Sequence, residues 1–388
     1  MFKAVAGYYK DNERLRLLVK IIAVWLISRA VMLLMVPVMN LIADEPHQWL
    51  YYMNPWDAEW YKGIVENGYQ PPKSSGMASW AFFPLYPLVC MAVRLVTMGS
   101  IDTYAVGMTV SNICIIIAVY YAVKYADIEL DMKKYNKKTV EDIIIFLMLA
   151  GPFAVYYGAM YTEALFILCV ILCFYNSARH NYMAAGIAAA MASATRIVGC
   201  MLVFVLITYM FMETCAECRA KHNSEMKDNK EAGIIDKCML TEEAGILIAG
   251  NISLASVIRT FIKNVIKEPK KLVAIMISPL GIFIYMNYLR YFCGDSWAFY
   301  HVQRAWRTQK MFPVIGVLFK SCTGQLSAAS GVKTLNGIIL GWLCVITLML
   351  YAAMIRKKHY ALGIFGIIVL LIPVSYTHLR AHETDQYL

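Results

Sequence analysis

The stretch LLVKIIAVWLISRAVMLLMVPVM, from Leu17 to Met39, decides how the rest of the chain is read. As a helix it is long enough to cross about 30 Å of hydrocarbon, because each residue adds roughly 1.5 Å. It outlasts the h-region of a signal peptide and no small-residue cleavage pattern follows it, so it reads as a retained first span. Lys3, Lys10, Arg14, Arg16 and Lys20 gather at its front, which places the N-terminus in the cytoplasm and the following segment outside.

Working outward, apolar runs near 17–39, 104–123, 143–160, 162–178, 182–212, 272–289, 336–355 and 360–374 recur along the 388 residues. With 60% hydrophobic residues, 16% charged residues and a mean hydropathy of +0.54, the chain is too apolar for a soluble enzyme of this size. The fold class expected is an all-α integral membrane protein, a multi-pass helical bundle forming one membrane domain over 1–374. The net charge of +10 does not point to nucleic acid, because Lys and Arg fall in blocks between apolar runs, as topology requires.

Charge also decides the doubtful segments. Counting Ala81 to Val96 as a crossing would send Lys124, Lys133, Lys134, Lys137 and Lys138 outside. That segment is short and contains Pro84, Pro87 and Arg94, so it is expected to be interfacial or re-entrant within an outer loop spanning 40–103. The run 182–212 must then be two short helices with an outer turn near Thr195 and Arg196. An arginine at that depth is costly unless paired or hydrated, so Arg196 is expected to line a cavity.

The stretch 213–271 is expected to be a basic cytoplasmic loop. Within it Ile258, Phe261, Ile262, Val265 and Ile266 recur at helical spacing among Arg259, Lys263, Lys267, Lys270 and Lys271, which reads as an interfacial anchor on anionic lipid. Most of the eleven Cys sit in apolar runs as small hydrophobes, and the Cys215, Cys218, His222 and Cys238 group is too irregular for a zinc site. No metal and no cofactor is expected. The polar string from Ser375 to Leu388 resembles a translated adapter and is expected to be a non-native tail.

Chemistry is sought at the outer mouths. In Trp56-Asp57-Ala58-Glu59-Trp60-Tyr61 the helical spacing puts Asp57 in a first turn, with Gly68 ending the helix. There the helix dipole favours an ionised carboxylate, which can serve as general base toward a hydroxyl. An aromatic belt with Asp57 as a helix-initiating charge explains the same residues. Glu163 stands at the outer start of another span, and a second outer loop offers Arg290, Asp295, His301, Gln303, Arg304, Trp306 and Arg307, able to hold a phosphate and a sugar or to form a solvated amphipathic helix.

Trp56 to Ile64 followed by Gly68-Tyr69, then Phe82-Phe83-Pro84-Leu85-Tyr86-Pro87, Tyr161 to Phe166, Ala194-Thr195-Arg196 and Gly294-Asp295 to Trp306, resembles in order the segments of the PIG-V mannosyltransferase family. The resemblance implies a GT-C type fold, an aspartate of the first outer loop as catalytic base, and a polyprenyl-phosphate monosaccharide as donor. Carried onto this chain, the base is Asp57. The family's Arg-Pro stands here as Arg196-Ile197, and the polar insert near 213–243 has no counterpart in the pattern.

The expectation is an inverting hexosyltransferase at the outer face, moving mannose from a polyprenyl-phosphate carrier to a lipid or glycan acceptor. Asp57 is the expected base, with Trp60, Tyr61, Glu163, Arg196, Arg290, Gln303 and Arg304 expected to bind substrate. Membrane lipids and a protein partner subunit are the other expected partners. A bacterial plasma membrane or an endoplasmic reticulum membrane would suit it. A flippase for a polyprenyl-linked glycan is the alternative, although neither an internal repeat nor a mid-span acidic pair is evident. An inactive relative serving as an assembly subunit is the third reading.

Overall fold

The computed structural model describes residues 12–42, 48–72, 76–231, 253–306, 314–324 and 332–376. In chain order its helices are α1 (Glu13–Ile42), α2 (Trp49–Met53), α3 (Ala58–Asn67), α4 (Leu85–Val96), α5 (Thr103–Glu129), α6 (Lys137–Leu149), α7 (Glu163–Ala178) and α8 (Tyr182–Ser193). There follow α9 (Leu202–Glu231), α10 (Leu254–Lys267), α11 (Pro269–Ile277), α12 (Leu280–Cys293), α13 (Ala298–His301), α14 (Val314–Cys322), α15 (Val332–Arg356) and α16 (Tyr360–Tyr376). No strand occurs among the described residues. The protein is an all-α, multi-pass membrane protein.

Four segments are long and apolar enough to cross a membrane: Glu13–Ile42, Thr103–Glu129, Ile197–Ser224 and Gly337–Arg356. The pair α11 and α12, broken at Ser278 and Pro279, supplies a fifth if it is one span. Helices α4, α7 and α8 are apolar but shorter, with 12, 16 and 12 residues. At about 1.5 Å per residue they fall short of the hydrocarbon thickness. The two helices expected in 182–212 are α8 and α9, with the turn at Ala194 to Met201 between them.

Two expected boundaries are corrected. The run 143–160 is not one helix, because α6 stops at Leu149 and 150–162 is a string of turns. Pro152 lacks an N–H and disfavours helix at Gly151 before it, and glycine resists helix further. Nor does a loop begin at 213, because α9 runs on to Glu231. That stretch has neither Gly nor Pro and is rich in Glu and Lys, with two Ala, so the helix outlasts its apolar part. Cys238 and residues 377–388 of the tail lie outside the described residues.

The chain divides into two compact units. The first, Met1–Cys200 with Met276–Thr308, carries the candidate site. At one end Lys20 reaches Glu141 and Asp142, and Lys137 reaches Glu13 and Asp127. At the other end the Thr103 hydroxyl donates to Glu66 and the Tyr104 hydroxyl to Glu59. Helices α1 and α5 are therefore antiparallel, and α3 lies at the end where α5 begins. Arg94 near the end of α4 also pairs with Glu66 at 3.7 Å, which keeps α4 with that end.

Small residues let the helices of this unit approach closely. Ala185, Ala188, Ala189 and Ala192 of α8 are buried, as are Leu165, Cys169 and Cys173 of α7. A methyl group at Gly281 of α12 would collide with Ala190 and Ser193 of α8. Phe83, Ile282, Tyr285, Leu289, Ala298 and Phe299 form an aromatic core beside this crossing. In the second unit, α14, α15 and α16 pack together, while α10 packs on α9. There the buried Lys271 lies 3.1 Å from Glu213 and 2.7 Å from Glu268.

Candidate active site

Helix α3 starts where its sequence says it should. Asp57 is its N-cap, and Gly68 at φ 72 closes it with an N–H donated to the Ile64 carbonyl. Trp56, immediately before, is 60% exposed and sits at φ 50. A left-handed backbone is costly for so bulky a residue and persists only where its surroundings impose it. Two clamps impose it here. The buried Asn54 accepts from the Met160 N–H at 2.7 Å, and the Tyr161 hydroxyl donates to the Pro55 carbonyl.

Those clamps join the turn carrying Asp57 to the turns that lead into α7, whose first residue is Glu163. Glu163 Oε1 accepts from Arg196 Nη1 at 2.5 Å. Arg196 follows α8, its backbone N–H bonded to the Ala192 carbonyl, and Leu85 of α4 donates to the neighbouring Ala194 carbonyl. Asp57, Glu163 and Arg196, far apart in sequence, thus occupy one electrostatic neighbourhood at the end of the unit where α5 begins.

The three carboxylates Asp57, Glu59 and Glu66 at helix α3 are now distinguishable. Glu59 is engaged by Tyr104, and Glu66 by Thr103 and Arg94. The Asp57 side chain accepts no hydrogen bond among the described residues. Burial pushes its pKa up from 3.8 to about 6, the negative charge of Glu163 adds to the rise, and Arg196 opposes it. Desolvation thus outweighs the helix dipole in the direction of the shift, while a pKa of about 6 leaves the carboxylate ionised at neutral pH. Asp57 is nonetheless open to solvent, and the Arg196 side chain is 42% exposed. Both groups are therefore within reach of solvent.

Not all predicted binders are open groups beside Asp57. Tyr61 is buried behind Asp57, its ring edge-on to Phe82 at 5.1 Å and to Tyr86 at 5.4 Å, so it forms wall rather than an open platform for a sugar. One face of Trp60 is already stacked on Phe82 at 5.7 Å. Arg290 is exposed on the last turn of α12, and Gln303 is half-buried in the one-turn segment Val302–Trp306. Neither is among the groups that set the charge of Asp57. The side chain of Arg304 and all of Arg307 lie outside the described residues.

In the segment after α12, Asp295 and His301 form a pair at 2.7 Å. Partial burial raises the Asp295 pKa, but hydrogen bonds from His301 and the Trp297 N–H bring it below the ordinary value. The residues that sequence reasoning missed are Asn54 and the Tyr161 hydroxyl, which position rather than react. An Asn-Pro pair just before Trp56 was the available signal. No group of three or more His, Cys, Asp or Glu that could hold a metal occurs among the described residues.

The fold is that of a multi-pass helical membrane protein, and Asp57, Glu163 and Arg196 are the charged groups it brings together. A family model described as Mannosyltransferase (PIG-V) matches residues 14–232, more than half of the chain, and the chain belongs to that family of membrane glycosyltransferases. The match includes Asp57, Glu163 and Arg196, and it ends before Arg290, Gln303 and Arg304. No curated protein and no solved structure matches the chain.

Proposed function

We propose that this mannosyltransferase is inverting, with Asp57 as the base and a polyprenyl-phosphate-linked mannose as the donor, acting at the outer face on a lipid or glycan acceptor. One observation carries the reading: of the three carboxylates Asp57, Glu59 and Glu66, Asp57 alone is unengaged by a hydroxyl or an ion pair among the described residues, and it is solvent-exposed within the electrostatic influence of Arg196.

In this mechanism the acceptor hydroxyl gives its proton to the Asp57 carboxylate as its oxygen attacks the anomeric carbon. The bond from that carbon to the phosphate oxygen breaks, and the electron pair leaves with the polyprenyl phosphate. One base and one stabilised leaving group suffice for inversion. The Arg196 side chain is partly exposed while Nη1 holds Glu163, which supports its remaining N–H groups as donors to the phosphate through charge-assisted hydrogen bonds. Glu163 fixes that guanidinium. Trp56, exposed and held next to the base, is the open aromatic surface on which a sugar face can rest.

The test is transfer of labelled mannose from polyprenyl-phosphomannose to endogenous acceptors in membranes holding the wild type or Asp57→Asn. Loss of a general base lowers the rate by roughly 10²- to 10⁴-fold. Equal transfer by both proteins would remove Asp57 from the reaction. A wild type that exchanges label across the bilayer without forming a new glycosidic bond would favour the flippase reading.

A further inference from the structure

Helix α10 belongs to no part of the site, yet its surface is divided more sharply than a loop element needs. One side faces its own unit. Val257 and Val265 are buried, the Phe261 ring lies 5.7 Å from Phe211 of α9, and Asn264 donates to Glu217 of α9 at 2.9 Å. A second side carries Ile258, Ile262 and Ile266, which are 43%, 51% and 64% exposed. Spaced four apart, they form a stripe that drifts by only about 40° per step.

The third side carries Arg259, Lys263 and Lys267, again four apart and all exposed, in register one position beyond the isoleucines. Apolar stripe and basic stripe are therefore adjacent and parallel along the helix. The stripe read from sequence as a single apolar face is really two: Phe261 and Val265 belong to the protein, while the isoleucines are left over. Exposed isoleucines beside a row of cations suit a surface that is apolar below and anionic above. Helix α9, on which α10 rests, continues an apolar segment long enough to span, and α11, which follows after Glu268, begins the possible broken span, so the bilayer surface is continuous with this helix.

We propose that α10 lies in the membrane-water interface, with Ile258, Ile262 and Ile266 among acyl chains and Arg259, Lys263 and Lys267 on the headgroups of anionic phospholipid. The occupant is lipid rather than a second copy of the chain, because a protein partner for a stripe this narrow would leave three cations beside it without counter-charge. An anionic leaflet supplies that charge along the whole row.

The full chain is placed in nanodiscs of phosphatidylcholine and phosphatidylglycerol, with Ile262→p-benzoylphenylalanine or Val257→p-benzoylphenylalanine as a photocrosslinker. Position 262 should give lipid adducts enriched in phosphatidylglycerol, and position 257 should crosslink within the chain. With Arg259→Gln, Lys263→Gln and Lys267→Gln combined, the enrichment should fall on the order of tenfold. Raising salt on the chain with its charges intact should lower it as well. Protein-only adducts at 262, including adducts to a second copy, would overturn the proposal. So would an enrichment that neither salt nor the charge changes affect.

Discussion

Arg196 Nη1 and Glu163 Oε1 lie 2.5 Å apart, an ion pair closed between the end of α8 and the first residue of α7. The two partners act on the Asp57 carboxylate in opposite directions: Glu163 raises its pKa and Arg196 lowers it. Burial is the larger cause of the raised pKa, and the pair adjusts it while fixing the direction in which the guanidinium points.

Asp57 is raised to about 6. A base must be ionised, so kcat/KM should rise with pH and level off above about 6, giving an acid limb in its pH profile. The sign for stability is the reverse. A folded-state pKa above the ordinary 3.8 means that Asp57 favours the folded state in acid, and that this contribution is lost as pH rises through about 6. Asp57→Asn should accordingly fold as well as the wild type at neutral pH by thermal unfolding in detergent, while transfer is lost. An unfolded variant would contradict this.

Glu163→Gln removes a negative neighbour of Asp57 and loosens Arg196. The acid limb should move to lower pH, and KM for the donor should rise on the order of tenfold as the guanidinium loses its anchor. A limb that stays in place would show that Glu163 does not act on the base.

Arg196→Ala should cost donor use by about 10- to 100-fold in kcat/KM, the range expected for a charge-assisted hydrogen bond. Arg196→Lys should recover part of it. Steady-state kinetics with varied donor separate the two outcomes, and full activity of the alanine variant would sink the phosphate-holding role.

Asn54→Ala leaves the Met160 N–H buried without its acceptor, a loss of about 1–3 kcal/mol. Because Asn54 also holds the turn before Asp57, kcat should fall by more than that stability change explains at a temperature where the variant is folded. Tyr161→Phe, which frees the Pro55 carbonyl, should act in the same direction.

Gly107→Val tests the packing that supports these turns. A Cβ at Gly107 would come within 2.8 Å of Met160 Cβ, and overpacking of this kind costs about 1–3 kcal/mol. A lowered thermal midpoint in detergent, with transfer retained below it, is expected.

Hydropathy and charge blocks were enough to read the all-α multi-pass class, because a lipid solvent imposes length and sign on the sequence itself. Helix α3 was legible from Asp57 to Gly68 for a similarly local reason: cap and stop residues act over one or two turns. The break at Leu149 was legible in principle from Gly151-Pro152, but the apolar run around it masked the signal.

What sequence alone could not decide was which polar groups meet. Helix position and resemblance singled out Asp57 over Glu59 and Glu66, but only the arrival of Tyr104, Thr103 and Arg94 shows that the two glutamates are engaged and Asp57 is left open among the described residues. Tyr61 and Trp60 looked like sugar platforms until Phe82 and Tyr86, brought in from the segment before α5, covered them. Composition and periodicity are properties of one segment and can be read along the chain. Partnership depends on distances between segments, and those exist only once the bundle has closed.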